Sequence, residues 1–217
     1  MNFHIPGLPH LEIGTIYCIG RNYAEHAREL NNPVPGEPVI FIKPRSSVIF
    51  DNGVVVLPPQ SNDVHHEVEL VLAVGKTGKN IPSDQALSHI AGFGIGIDFT
   101  ARDLQQVAKE KGLPWSVAKG FDTFSPIGAF IPISEADTDK PFTVELKVNG
   151  EVRQKGTTSD MLFPIPELIS RLSRIFTLHE GDLIFTGTPK GVSRISKGDK
   201  IEAVLGENLS TLSLDVQ

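Results

Sequence analysis

Apolar and polar residues along this chain alternate in short runs broken by Gly, Pro, Asn and Asp, the pattern of many short strands joined by turns. Val144 to Val148 and Glu151 to Gln154 alternate on either side of Asn149-Gly150. That dipeptide suits the positive φ angles of a two-residue hairpin turn. Val54 to Leu57 reads as a strand leaving a second tight turn at Asp51-Asn52-Gly53. Glu180-Gly181-Asp182 and Lys197-Gly198-Asp199 read as turns feeding strands over Leu183 to Thr186 and Lys200 to Val204. Helical spacing is rarer. Ile165, Leu168, Ile169 and Leu172 share one face of a helix over Ile165 to Arg174. Ala101 to Lys111 predicts a polar helix stopped by Gly112, Ser83 to Ala91 a helix capped by Ser83, and Asn22 to Leu30 a short helix. This order predicts a β-rich α+β fold and not repeated βαβ units. Gly92-Phe93-Gly94-Ile95-Gly96 has glycines at alternate positions, which is not the dinucleotide-binding fingerprint.

Length and charge narrow the class. The 217 residues suit one domain, 1–217, with a sizeable core and a short N-terminal lead-in over about 1–14. Lys and Arg number 20 against 26 Asp and Glu, a formal charge of −6. That balance argues against nucleic acid or an anionic membrane surface as partner, so an anionic substrate needs a locally positive pocket. Cys18 is the only cysteine, so no internal disulfide forms and a reducing compartment is suited. The opening MNFHIPGLPH has no basic start followed by an apolar stretch, and no apolar run approaches bilayer length. The expectation is a soluble, cytoplasmic protein.

The candidate chemistry lies in Val64 to Val74 (VHHEVELVLAV). Read as a strand, it sends Val68, Leu70, Leu72 and Val74 to one face and His65, Glu67, Glu69, Val71 and Ala73 to the other. Two carboxylates then stand side by side in an apolar run. Either that face is solvated, or something neutralises it, because burying two like charges is costly. Gly92 to Thr100 (GFGIGIDFT) alternates Phe93, Ile95, Ile97 and Phe99 against Gly94, Gly96, Asp98 and Thr100. Its second face is nearly bare, open to a ligand or another chain segment. If Asp98 faces Glu67 and Glu69, three carboxylates can hold one Mg²⁺ or Mn²⁺, with coordination positions left for water and a chelating substrate. The alternative is that Asp98 caps or anchors the helix that follows.

A series of motifs spans nearly the whole chain in order: Ile19-Gly20-Arg21-Asn22-Tyr23-Ala24-Glu25-His26, Phe41-Ile42-Lys43-Pro44, His65-His66-Glu67-Val68-Glu69-Leu70, Asp98-Phe99-Thr100-Ala101-Arg102-Asp103, Gly112-Leu113-Pro114-Trp115, Ala118-Lys119 and Gly187-Thr188-Pro189-Lys190-Gly191-Val192. In these the chain resembles the fumarylacetoacetate hydrolase family, in its short acylpyruvate hydrolase/oxaloacetate decarboxylase branch. The resemblance implies a mixed β-roll, a metal held by Glu67, Glu69 and Asp98, a homodimer, and a mobile lid carrying a His26–Glu29 pair. Three residues apart, that pair shares one face of a helical turn, where Glu29 can orient His26 as a base for water. Lys119 matches a lysine beside the metal. Arg21, Arg102, Gln105 and Thr188 match substrate-binding positions, with the Thr188 hydroxyl as a donor to the substrate carboxylate. Longer members have a further metal-binding acid in an N-terminal domain that this short chain lacks. Three protein ligands and a simpler acylpyruvate are therefore expected, rather than fumarylacetoacetate.

The resulting expectation is a divalent-metal hydrolase, with Mg²⁺ first and Mn²⁺ as substitute. It would cleave acylpyruvates such as acetylpyruvate or fumarylpyruvate to pyruvate and a carboxylic acid, with oxaloacetate decarboxylation as a companion. Two alternatives stand beside it: an oxaloacetate keto–enol tautomerase, and a metal-dependent 2-oxo-acid binding protein without turnover.

Overall fold

Two mixed β-sheets carry the chain in the computed structural model, which describes residues 1–8, 10–29 and 36–217. The larger sheet has eight strands. Seven run in the order Val39–Lys43, Ile16–Gly20, Leu183–Phe185, Val68–Val74, Ile90–Ile97, Ser125–Ile127 and Val48–Phe50, and Ile131–Pro132 joins the side of Ile90–Ile97. Two of its pairings are parallel, Leu183–Phe185 with Ile16–Gly20 and Ser125–Ile127 with Val48–Phe50, and the others are antiparallel. The smaller sheet has five strands in the order Glu151–Thr157, Thr143–Val148, Lys200–Leu205, Ser210–Val216 and Gly53–Val55. This is the expected β-rich α+β fold, a mixed β-roll.

The turns form where the sequence pattern puts them. Asn149 and Gly150 both have positive φ, 53° and 80°, closing the hairpin from Thr143–Val148 to Glu151–Thr157. Four α-helices are described: α1 Ala24–Glu29, α2 Arg102–Lys111, α3 Ser116–Lys119 and α4 Ile165–Ile175. Helix α2 ends at Gly112 in the left-handed conformation, as expected. Helix α1 is shorter than the expected Asn22 to Leu30, and Leu30 lies outside the described residues. The segment from Ser83 departs further. It is a 3₁₀ helix, Ser83–His89, with Pro82 rather than Ser83 at its cap, and Ile90 and Ala91 already belong to the next strand. The expected lead-in is also more than that. Asn2–Phe3 pairs with Leu11–Glu12, and Phe3, Ile5, Leu11 and Ile13 are buried in a core on one face of the large sheet.

Burial follows the alternation read from the sequence. Val68, Leu70, Leu72 and Val74 join the main core with Phe93, Ile95, Ile97 and Phe99, while Val71 and Ala73 turn to the second core. The run from Val64 is not one strand: Val64–His65 pairs with Thr100–Ala101, and Val68–Val74 starts a separate ladder after His66 and Glu67. The bare face of Ile90–Ile97 exists for packing. A Cβ on Gly96 would lie 2.6 Å from Val71 and 2.8 Å from the Phe185 ring, and one on Gly94 would press on Phe130. Of the two occupants the glycines left open, the one present is another chain segment.

Candidate active site

The acids meet because of strand register. Glu69 pairs with Gly96 and Val68 with Ile97, and one step further the Asp98 N–H donates to the Glu67 carbonyl at 2.8 Å. Glu67 and Asp98 therefore stand opposite one another at the strand ends, with Glu69 diagonal to Asp98 across the side-chain-free Gly96. Ligand atoms of Glu67, Glu69 and Asp98 all lie within 4.8 Å of one another, and all three residues are buried. The alternative of a solvated acidic face does not hold. Nor does Asp98 cap α2, whose cap residue Ala101 makes no side-chain cap bond.

Three cations border the acids. Lys119 donates to Glu67 Oε2 at 2.8 Å and Asp98 Oδ2 at 2.5 Å. Arg102 Nη2 donates to Glu67 Oε1 and Nη1 to Gln105 Oε1 at 2.8 Å, and its buried Nε has no partner among the described residues. Lys43 Nζ donates to Asp98 Oδ1 at 2.5 Å and to the carbonyls of Phe124 at 2.6 Å and Phe99 at 3.3 Å. All its donors are used inside the fold, so it positions Asp98 and has none left for substrate. Sequence reasoning left Lys43 in an ordinary role. Its signal was a lysine ending an apolar strand, Val39-Ile40-Phe41-Ile42-Lys43.

Glu69 differs from its neighbours. Its only side-chain partner among the described residues is the Gly187 N–H, at 2.6 Å. Gly187 has φ 101°, and a Cβ there would lie 2.7 Å from Asn22 Cβ, so only glycine brings that N–H so close. Burial, then the Asp98 and Glu67 charges, push the Glu69 carboxyl well above the usual range. For Glu67 burial acts the same way, but Lys119 and Arg102 outweigh it and hold the carboxyl well below. A hard divalent cation fits this donor set: it takes oxygen ligands and would supply the positive charge Glu69 lacks.

Over the acids lies α1. His26 is 5 % exposed, and its Nδ1 lies 3.2 Å from Glu29 Oε2. Glu29 also accepts from the Gly191 N–H at 3.0 Å, and Lys190 pairs with Glu25 at 3.0 Å. The helix is thus tied to the Gly187–Gly191 loop. Burial would raise the Glu29 carboxyl, but His26 and Gly191 outweigh it and hold it below its ordinary value. A buried histidine with a structured partner is not the solvated surface pair that spacing alone would suggest.

Arg21, His26, Glu67, Glu69, Arg102, Gln105, Lys119 and Thr188 line one cavity, closed on its apolar side by Ile19, Phe41 and Trp115. Asp98 and Glu29 are outside that lining but bond to Lys119 and His26 within it. Thr188 is placed differently from expectation. Its hydroxyl donates to the Val68 carbonyl at 2.9 Å and accepts from Gln154 Nε2 at 2.8 Å, so its proton is already committed. Gln154, in the smaller sheet, also accepts from Val68 N at 3.1 Å and pairs with His66 Nδ1 at 2.8 Å. Nothing in its hairpin marks Gln154 as a support of the site, because the contact spans 34 residues to Thr188. Lys109, which also lines the cavity, was missed as well.

The family model for the C-terminal region of fumarylacetoacetate hydrolase matches residues 15–217. The chain belongs to the fumarylacetoacetate hydrolase family. It is 48 % identical over 202 residues to the mitochondrial oxaloacetate tautomerase FAHD1 of Arabidopsis thaliana, covering 93 % of this chain and 90 % of that one. It is 43 % identical over 203 residues to a mitochondrial oxaloacetate decarboxylase of Dictyostelium discoideum, covering 93 % and 91 %. Fumarylpyruvate hydrolase of Pseudomonas aeruginosa, solved with Mn²⁺ and pyruvate, superposes with a TM-score of 0.94 at 37 % identity, covering 100 % of this chain and 95 % of that one. A divalent metal and an enzymatic role follow from this membership together with the acid cluster. Among the described residues no helix is long and apolar enough to cross a membrane.

Proposed function

We propose that the chain is a hydrolase that cleaves acylpyruvates to pyruvate and a carboxylic acid, with Mg²⁺ as its metal and Mn²⁺ as a substitute. The observation that carries this reading is the convergence of Glu67, Glu69 and Asp98 beneath the His26–Glu29 pair in one cavity. The three carboxylates would hold the cation, which when bound would supply Lewis-acid polarisation of the 2-oxo group. His26 takes a proton from water as the water oxygen adds to the distal carbonyl carbon. The bond from that carbon to the adjoining methylene then breaks as the carboxylic acid forms, its electron pair stays on the methylene carbon, and the proton held by His26 passes there, giving pyruvate and restoring the base. Glu29 holds the His26 ring and stabilises its protonated form. Lys119 and Arg102 receive the substrate's oxygens, and Gln105 steadies Arg102. Thr188, its hydroxyl committed to Val68, shapes the wall beside Glu69.

The same geometry suits loss of CO₂ from oxaloacetate, or its tautomerisation, neither of which needs an attacking water. The relatives named for those reactions favour this second reading. Acetylpyruvate, fumarylpyruvate and oxaloacetate assayed on one preparation for cleavage, CO₂ and tautomer decay, with Mg²⁺ and with a chelator, decide between them. Chelator-sensitive cleavage supports the hydrolase. Tautomer decay without cleavage replaces it with the isomerase. Binding without turnover leaves only a binding protein.

We place the whole of 1–217 in one catalytic domain and read the working unit as a homodimer. Ile42, Leu113 and Ile175 are exposed around a groove beside the edge strand Val39–Lys43, an apolar surface that a second copy would cover. Sedimentation measures this directly. The lone buried Cys18 suits a reducing compartment such as the cytoplasm.

A further inference from the structure

Helix α2 sends three side chains into the cavity from one stripe: Arg102, Gln105 and Lys109, spaced three and four apart. At 1.5 Å per residue, the Lys109 backbone lies about 10 Å along the helix from that of Arg102, which touches Glu67. The cavity thus has an acid-and-cation floor and a second cationic side chain that enters it from two turns further along α2.

The cations of this cavity fall into two groups. Arg102 and Lys119 are engaged by Glu67 and Asp98. Arg21 and Lys109 are half-buried, and among the described residues neither has a carboxylate within 4 Å. In a chain of net charge −6, two cations left without acids beside a buried pocket call for an anion from outside. Trp115 limits where Lys109 can go. The ammonium lies 5.7 Å from the centre of that ring, which is itself packed against Phe41 at 5.6 Å. Arg21 is held in the left-handed region at φ 62°, a conformation costly for a long side chain.

We propose that Lys109, aided by Arg21, binds a second carboxylate at the far end of the substrate, making the enzyme selective for 2-oxo acids whose acyl end is itself a carboxylic acid. This rests on the reading of the floor as a 2-oxo-acid site. The electrostatics agree with that geometry: burial, then Arg102 and Arg21, push Lys109 down to about 8, as expected of a cation that lacks its counter-ion. A carboxylate between Lys109 and Arg21 would relieve that repulsion.

The test uses the full chain saturated with Mn²⁺ and a matched pair of six-carbon ligands, 2-oxoadipate and 2-oxohexanoate, which differ only in the distal carboxylate. Calorimetry should show the diacid bound more tightly by about tenfold or more. Lys109→Met should erase most of that preference, Lys109→Gln should do the same if the methionine variant fails to fold, and Lys109→Arg should keep most of it. The ratio of kcat/KM for fumarylpyruvate over acetylpyruvate should fall in parallel. A wild-type protein indifferent to the distal carboxylate, or a folded Lys109→Met with its preference intact, overturns the proposal. If neither acylpyruvate is cleaved, the hydrolase reading fails, while the binding pair still decides the role of Lys109.

Discussion

On the floor of the cavity every cation is matched: Lys43 and Lys119 are almost fully buried, and each touches Asp98. At the rim, Arg21 and Lys109 are half-buried and face no acid among the described residues. The difference separates what the fold needs from what the substrate reads. A floor charge cannot be removed without stranding its partner in a low-dielectric interior. A rim charge can be removed with little consequence for the fold, and the loss should appear as altered selectivity.

The largest effect should follow from breaking the floor. Asp98→Asn leaves both Lys43 and Lys119 short of an acid, and breaking such a buried pair costs about 3–5 kcal/mol. The variant should melt well below wild type and lose turnover to background, as thermal denaturation and a pyruvate assay will show. Normal stability in Asp98→Asn would mean that the lysines find other partners and that the floor is not a matched set.

Next in size is helix α1. His26→Ala should lower acylpyruvate hydrolysis by about 10²–10⁴-fold. Oxaloacetate decarboxylation should suffer less, because it needs no attacking water. Metal affinity, followed by Mn²⁺ binding, should hardly change. Equal losses in both reactions would assign His26 to closure over substrate and not to proton transfer.

A smaller effect, of opposite sign to that of Asp98→Asn, is expected at Glu69. Its carboxylate has no cation partner among the described residues and is pushed well above the usual range by burial and by Asp98 and Glu67. A raised folded-state pKa means that the ionised form works against the fold above that pKa. Glu69→Gln should therefore melt no lower than wild type in metal-free buffer at neutral pH, yet bind Mn²⁺ far more weakly. A large drop in melting temperature would show that the Gly187 hydrogen bond outweighs the charge repulsion.

The acids of the floor are legible in the sequence, Arg21 at the rim is reached only through the family resemblance, and Lys109 beside it is not reached at all, for a physical reason. Alternation along Val68–Val74 and Ile90–Ile97 fixes which side chains share a face, and apolar neighbours on that face make the acids conspicuous. The break at His66 and Glu67 was invisible, because it depends on pairing with Thr100–Ala101. Lys43 was undervalued since its three acceptors lie 55 to 81 residues away. Gln154 escaped for the same reason. The Thr188 hydroxyl was assigned to substrate because a Gly-Thr-Pro turn does not reveal that the Val68 carbonyl takes its proton. Lys109 carried a signal that was overlooked: it continues the stripe of Arg102 and Gln105, in a helix whose polar residues otherwise suggest only a solvated surface.

The smallest effect sharpens the rim itself. Burial and the charges of Arg102 and Arg21 push Lys109 down to about 8, with Glu67 opposing and Lys119 adding a weaker push in the same direction. The lysine is charged below that value and neutral above it, whereas a distal carboxylate stays ionised throughout. Preference for 2-oxoadipate over 2-oxohexanoate should therefore be greatest near about pH 6.5 and shrink toward about pH 9.5. Taking the ratio of the two ligands cancels every pH effect on the floor that both share, including any change in metal binding. Because a bound carboxylate stabilises the ammonium, the midpoint of the decline should lie above that of the free protein. Lys109→Met should give a flat profile, and Lys109→Arg a preference that persists to the alkaline end. A wild-type preference that stays undiminished to about pH 9.5 would transfer the role to Arg21.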